Sequence, residues 1–115
     1  MSLTPAEIDT TIYPGTNFDD ELWIDINTYP VTDIKFKAQY RSSDLKTLLL
    51  DLSSEAGNIT FNELTGELHF LAAPAITDTI PIQVGKWQCN IYHPDNTIVV
   101  AFVGKVYVKE KIVRA

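Results

Sequence analysis

Cysteine is almost missing from this chain of 115 residues: Cys89 stands alone, so no disulfide can form within it. A fold that depends on cross-links is excluded, and the lone thiol suits a reducing compartment such as the cytosol without demanding one. Basic residues are also scarce. Nine Lys and Arg stand against fifteen Asp and Glu, for a formal net charge of −6 and a pI near 4.7. They are spread thinly along the sequence, whereas a nucleic-acid binder needs a basic stripe that displaces counterions from phosphates. Neither nucleic acid nor an anionic membrane is therefore expected as a partner. No apolar run approaches 18 residues, so no membrane-crossing helix is expected. The stretch from Met1 to Glu7 has no basic segment and no apolar segment, so a secretory signal is not expected either. There is no low-complexity tract and no internal repeat.

What remains is a globular composition, 45% hydrophobic and 21% charged. The length suits a single core. Residues 1–7 read as an N-terminal arm and 8–115 as one domain. Ile8 to Tyr13 fits a short first strand, ended by the turn signal Pro14-Gly15. In Phe18 to Ile26, Leu22, Ile24 and Ile26 share one face while Trp23 and Asp25 take the other. Asn27 to Asp33 is a loop around Tyr29-Pro30. The clearest strand is Ile34 to Arg41, where Ile34, Phe36, Ala38 and Tyr40 alternate with Lys35, Lys37, Gln39 and Arg41. A helix would scatter those four apolar side chains around its girth.

The Leu48-Leu49-Leu50 run in Thr47 to Leu52 fits a strand or a helix, and the early turn residues at Glu55 to Asn58 favour the strand. Ile59 to Asn62 and Glu67 to Ala72 form a hairpin around Leu64-Thr65-Gly66. Ala73 to Pro81 is a crossover with room for one helical turn. Gly85 to Tyr92 turns Trp87, Cys89 and Ile91 inward. In Thr97 to Lys109 the inner set is Val99, Ala101 and Val103, then Val106 and Val108, a slip that places a β-bulge at Gly104. Seven or eight short strands with regular turn signals mark an all-β sandwich.

Chemistry is sparse. His69 and His93 lie on different strands and have no short His/Cys spacing, so no metal site is expected. Cys89 faces inward and behaves as a small hydrophobe. Asp19-Asp20-Glu21 cannot converge on one point from a strand, which removes a calcium cage; the cluster serves better to keep an edge from pairing. No phosphate loop or nucleophile elbow is present, and no cofactor is expected. The strand phases turn Trp23, Tyr92 and Tyr107 outward, and exposed aromatics of this kind are candidate contacts for a protein surface or a sugar.

The order of short motifs carries a further signal. Tyr13-Pro14-Gly15-Thr16 is followed by Ile34 to Arg41, Leu48 to Leu52 and Gly57-Asn58-Ile59-Thr60-Phe61. Then come Thr65-Gly66-Glu67-Leu68, Gly85-Lys86-Trp87-Gln88-Cys89-Asn90, Gly104-Lys105-Val106 and Val113-Arg114. This series resembles a family of small tailed-bacteriophage virion proteins with an immunoglobulin-like fold, including domains similar to the N-terminal part of siphophage upper baseplate proteins. The chain departs from that pattern at Tyr29-Pro30-Val31-Thr32-Asp33, where the family carries a different turn. The resemblance implies an immunoglobulin-like antiparallel β-sandwich without catalytic activity. It would be assembled in the host cytoplasm into the virion, as a docking or adaptor domain of tail, baseplate, fibre attachment or head decoration. Its partners would be other virion proteins, with several copies around a symmetry axis. The alternative is a carbohydrate-binding module that uses Trp23, Tyr92 and Tyr107 to attach to a host surface.

Overall fold

The computed structural model describes residues 5–27 and 29–110. Two sheets face each other across one core. In chain order the strands are β1 (Ala6–Glu7), β2 (Thr10–Ile12), β3 (Phe18–Trp23), β4 (Lys35–Ser42), β5 (Leu48–Ser53), β6 (Ile59–Asn62) and β7 (Glu67–Ala72). A single helical turn, α1 (Pro74–Thr77), precedes β8 (Gln83–Tyr92) and β9 (Ile98–Val108). The larger sheet runs β1-β9-β8-β4-β5, with β2 also on β9; the smaller runs β3-β7-β6. The chain is thus an all-β sandwich, as its alternation requires. Among the described residues there are nine strands, because Ala6 and Glu7, read as part of the arm, form a strand of their own: Ile8 and Asp9 separate β1 from β2, and both pair parallel to β9. Of the residues read as an arm, 1–4 lie outside the described residues, while Ala6 and Glu7 pair with Phe102 and Val103. Val113-Arg114, the end of the motif series, also lies outside the described residues.

The core follows period two. Phe36, Ala38 and Tyr40 of β4 meet Leu50 and Leu52 of β5 and Trp87, Cys89 and Ile91 of β8, all buried. Leu68 and Phe70 of β7, with Ile59 of β6, close it from the smaller sheet. Tyr40 stacks on Trp87 at 5.4 Å between ring centroids, and Phe70 meets Trp87 edge-on at 5.9 Å. Offset-stacked and edge-to-face pairs suit the ring quadrupole and add about 0.5–1.5 kcal/mol each to the burial of area. The leucine run resolves as a strand with an irregularity: Tyr40 faces Leu50 and Arg41 faces Leu48, so Leu49 is an extra residue.

The expected bulge at Gly104 is corrected. Cys89 pairs with Phe102 and Asn90 with Val100, so the extra residue on β9 is Ala101. Phe102 therefore turns into the core, and Val103 turns out. Gly104 has another purpose. A side chain there would sit 1.9 Å from the Ile8 carbonyl oxygen, which is held at 2.7 Å by the Trp87 indole N–H. Glycine thus lets the β1–β2 link approach closely enough to satisfy the buried indole donor.

Two contacts outside the strands finish the frame. Thr77 of α1 is wholly buried; its hydroxyl donates to the Thr16 carbonyl at 2.7 Å and accepts from the Gly15 N–H at 3.1 Å. The crossover is thereby fixed to the turn before β3. Tyr29, read as a loop residue, is buried, and its hydroxyl bonds His93 Nε2. Each of these bonds joins residues more than sixty positions apart, beyond the reach of any local pattern.

Candidate docking faces

Period two that fills the core also sets what each sheet shows to solvent. On the larger sheet the outward residues of β4 are Lys35, Lys37, Gln39 and Arg41, and those of β8 include Lys86, Gln88, Asn90 and Tyr92. Register decides their neighbours. Arg41 lies opposite Lys86, and Lys86 lies opposite Lys105 of β9. Three cations thus stand side by side on three adjacent strands, an arrangement that like-charge repulsion disfavours in an isolated sheet. Lys35, Lys37, Arg41, Lys86 and Lys105 account for five of the nine basic residues in the sequence. The thin spread along the chain therefore becomes a cluster once the strands pair.

The cluster is weakly compensated. Lys35 pairs with Glu55 at 3.0 Å, both well exposed, a contact of little energetic weight. Lys37, Arg41, Lys86 and Lys105 have no carboxylate at ion-pair distance among the described residues. Arg41 instead leans on neutral acceptors, the Gln39 amide oxygen at 2.9 Å and the Leu45 carbonyl at 3.4 Å. Beside the row runs an open groove of about 450 Å³, lined among others by Lys37, Gln39, Gln88 and Tyr92.

The opposite face is its electrostatic counterpart. Asp19, Glu21 and Trp23 of β3 point out, next to Glu67, His69 and Leu71 of β7. Glu21 lies directly across from His69, and Trp23 across from Glu67. The His69 imidazole touches the Glu67 carboxylate, and this hydrogen bond, with the nearby acid groups, holds its pKa above the ordinary 6.5. Glu21, Glu67 and His69 place one donor each within 4.8 Å of one another, so this group can take a divalent ion with water completing the shell. Spacing along the chain concealed it, because Glu21 comes from a strand far from His69. Asp20, between the two outward acids, turns inward instead and bonds the Thr10 hydroxyl; burial raises its pKa.

The three outward aromatics are not brought together. Trp23 is 56% exposed on the smaller sheet. Tyr92 is half-buried on the outer face of the larger one. Tyr107 shares that face but lies opposite Val84, eight residues from Tyr92 along β8, about 26 Å away at strand rise. The Lys109 ammonium sits 5.5 Å from the Tyr107 ring centre, a cation–π contact. Cys89 is buried, and burial pushes its thiol pKa up to about 12, so it stays protonated at neutral pH. Compared with known proteins, the chain matches no family model and no curated protein.

Proposed function

We propose that this chain is a non-catalytic docking domain of a larger protein assembly, of the kind found in tailed-phage virions, as the motif order in the sequence suggests. One observation carries the docking reading: the outer face of the larger sheet holds a row of cations, Arg41, Lys86 and Lys105, whose side chains form no ion pair among the described residues. A like-charged row without ion pairs of its own costs stability in the free domain, and a negative partner removes that cost. The fold does not need these cations, because the residues that close the core all point the other way.

The immunoglobulin-like reading draws support from strand order. A sheet ending β9-β8-β4-β5 packs on β3-β7-β6, and the first strand is paired to the last. A carbohydrate platform built on Trp23, Tyr92 and Tyr107 together has no such support, since the first stands on one sheet and the other two at opposite ends of the second.

Mass spectrometry of purified phage particles encoded by the source genome tests the reading. The chain is expected in intact particles at a fixed copy number. Its consistent absence from particles, with the protein present in the lysate, refutes the virion role.

A further inference from the structure

The domain carries two faces of opposite sign on opposite sides, and the geometry points to a single occupant for both: a second copy of this chain, stacked head to tail. The inference rests on the docking reading above and names the partner. On one side Arg41, Lys86 and Lys105 form a row two strand spacings long, about 10 Å. On the other, Asp19 and Glu21 lie two residues apart on β3, and Glu67 lies two residues further along on the adjacent strand, a patch of about 13 by 5 Å. The patches agree in size and oppose in charge. Trp23, at the end of the acidic patch and largely exposed, supplies an apolar anchor, and the groove lined by Tyr92 and Gln88 offers it a seat beside the cations.

The two patches lie on different surfaces, so the contact is heterologous. Repeated copies then close into a ring or continue as a filament. The smaller sheet sets the contact area: three strands of four to six residues give a footprint of roughly 300 Å², well below the ~800 Å² per partner of a standard stable complex. One contact alone is therefore weak, and closure of a ring raises the effective concentration of the rest. A nucleic acid fits the row less well, because the chain's overall charge of −6 repels an extended polyanion while a compact carboxylate patch meets only the local cations.

Ionic strength gives a signature. At very low salt the net charges of two copies repel over long distances. Near 0.1 M, repulsion beyond about 10 Å is screened while the contact pairs still act; at 1 M the contacts are screened as well. Sedimentation velocity of the full chain up to about 1 mM is expected to show association that is strongest near 0.1 M and lost at 1 M salt. Lys37→Glu/Lys86→Glu and Glu21→Lys/Glu67→Lys should each sediment as monomers, and an equimolar mixture of the two should associate again. Circular dichroism checks that both remain folded, and Lys37→Gln/Lys86→Gln serves as a neutral second test expected to weaken association. Wild-type chain that stays monomeric at every salt overturns the stacking, as does association that survives either reversal. Binding of a DNA duplex by the cationic face in place of a second copy also overturns it. A chain that never self-associates yet is present in purified particles ends the stacking inference alone and leaves the docking reading standing.

Discussion

Tyr40→Phe should make this domain more stable. The Tyr40 ring is wholly buried, stacked on Trp87 at 5.4 Å and edge-on to Phe18 at 5.7 Å, yet its hydroxyl oxygen has no hydrogen-bond partner among the described residues. A buried hydroxyl without a partner costs about 1–3 kcal/mol. Removing it leaves a void of roughly 10 Å³, worth about 0.2 kcal/mol at ~24 cal/mol per Å³. Both ring contacts survive the change, so the net gain is about 1 kcal/mol or more. With an unfolding entropy of about 2.1 cal/mol/K per residue over 115 residues, this raises Tm by about 4 °C. Calorimetry of the two proteins at pH 7 measures it. A loss of about 1 kcal/mol instead would show that the hydroxyl is satisfied, through an ordered water shared with Asp20 for example, and would refute the reasoning.

Other substitutions probe the remaining parts of the frame. Gly104→Ala should destabilise by about 1–3 kcal/mol in denaturant titration, because the new methyl meets the Ile8 carbonyl and parts it from the Trp87 indole. Phe36→Asp should unfold the domain by burying an unpaired charge, whereas Lys37→Asp should leave circular dichroism and Tm nearly unchanged. Cys89 should resist a thiol reagent in the native state and react only on unfolding; fast native labelling would contradict its burial. His69 should titrate above 6.5 by NMR, and Glu67→Gln should return it toward that value. Since the folded pKa is raised above the unfolded one, the pair's contribution is complete below pH 6.5 and vanishes as pH climbs through the folded value.

The sequence disclosed what repeats locally. Alternation from Phe36 to Tyr40 places three side chains in the core, and the hairpin from Ile59 to Ala72 appears with its expected ends. The misreadings share one cause. A phase slip on β9 was visible as a break in alternation, yet Ala101 and Gly104 are both plausible bulge sites until the pairing with Cys89 chooses. Tyr29 was hidden because its burial comes from a contact with His93 rather than from a periodic run. The charged faces were the least legible. Arg41, Lys86 and Lys105 are isolated cations in sequence and become a row only through two strand registers. Glu21 meets His69 by the same route.

Lysine footprinting of the chain, free and within its assembly, addresses the claim on which the account turns. Acylation followed by mass spectrometry reads each amine separately. Lys37, Lys86 and Lys105 should lose reactivity on assembly, while Lys46, exposed on the turn before β5, should keep it. Equal reactivity of all four in both states would mean that the cationic face stays bare and that docking occurs elsewhere.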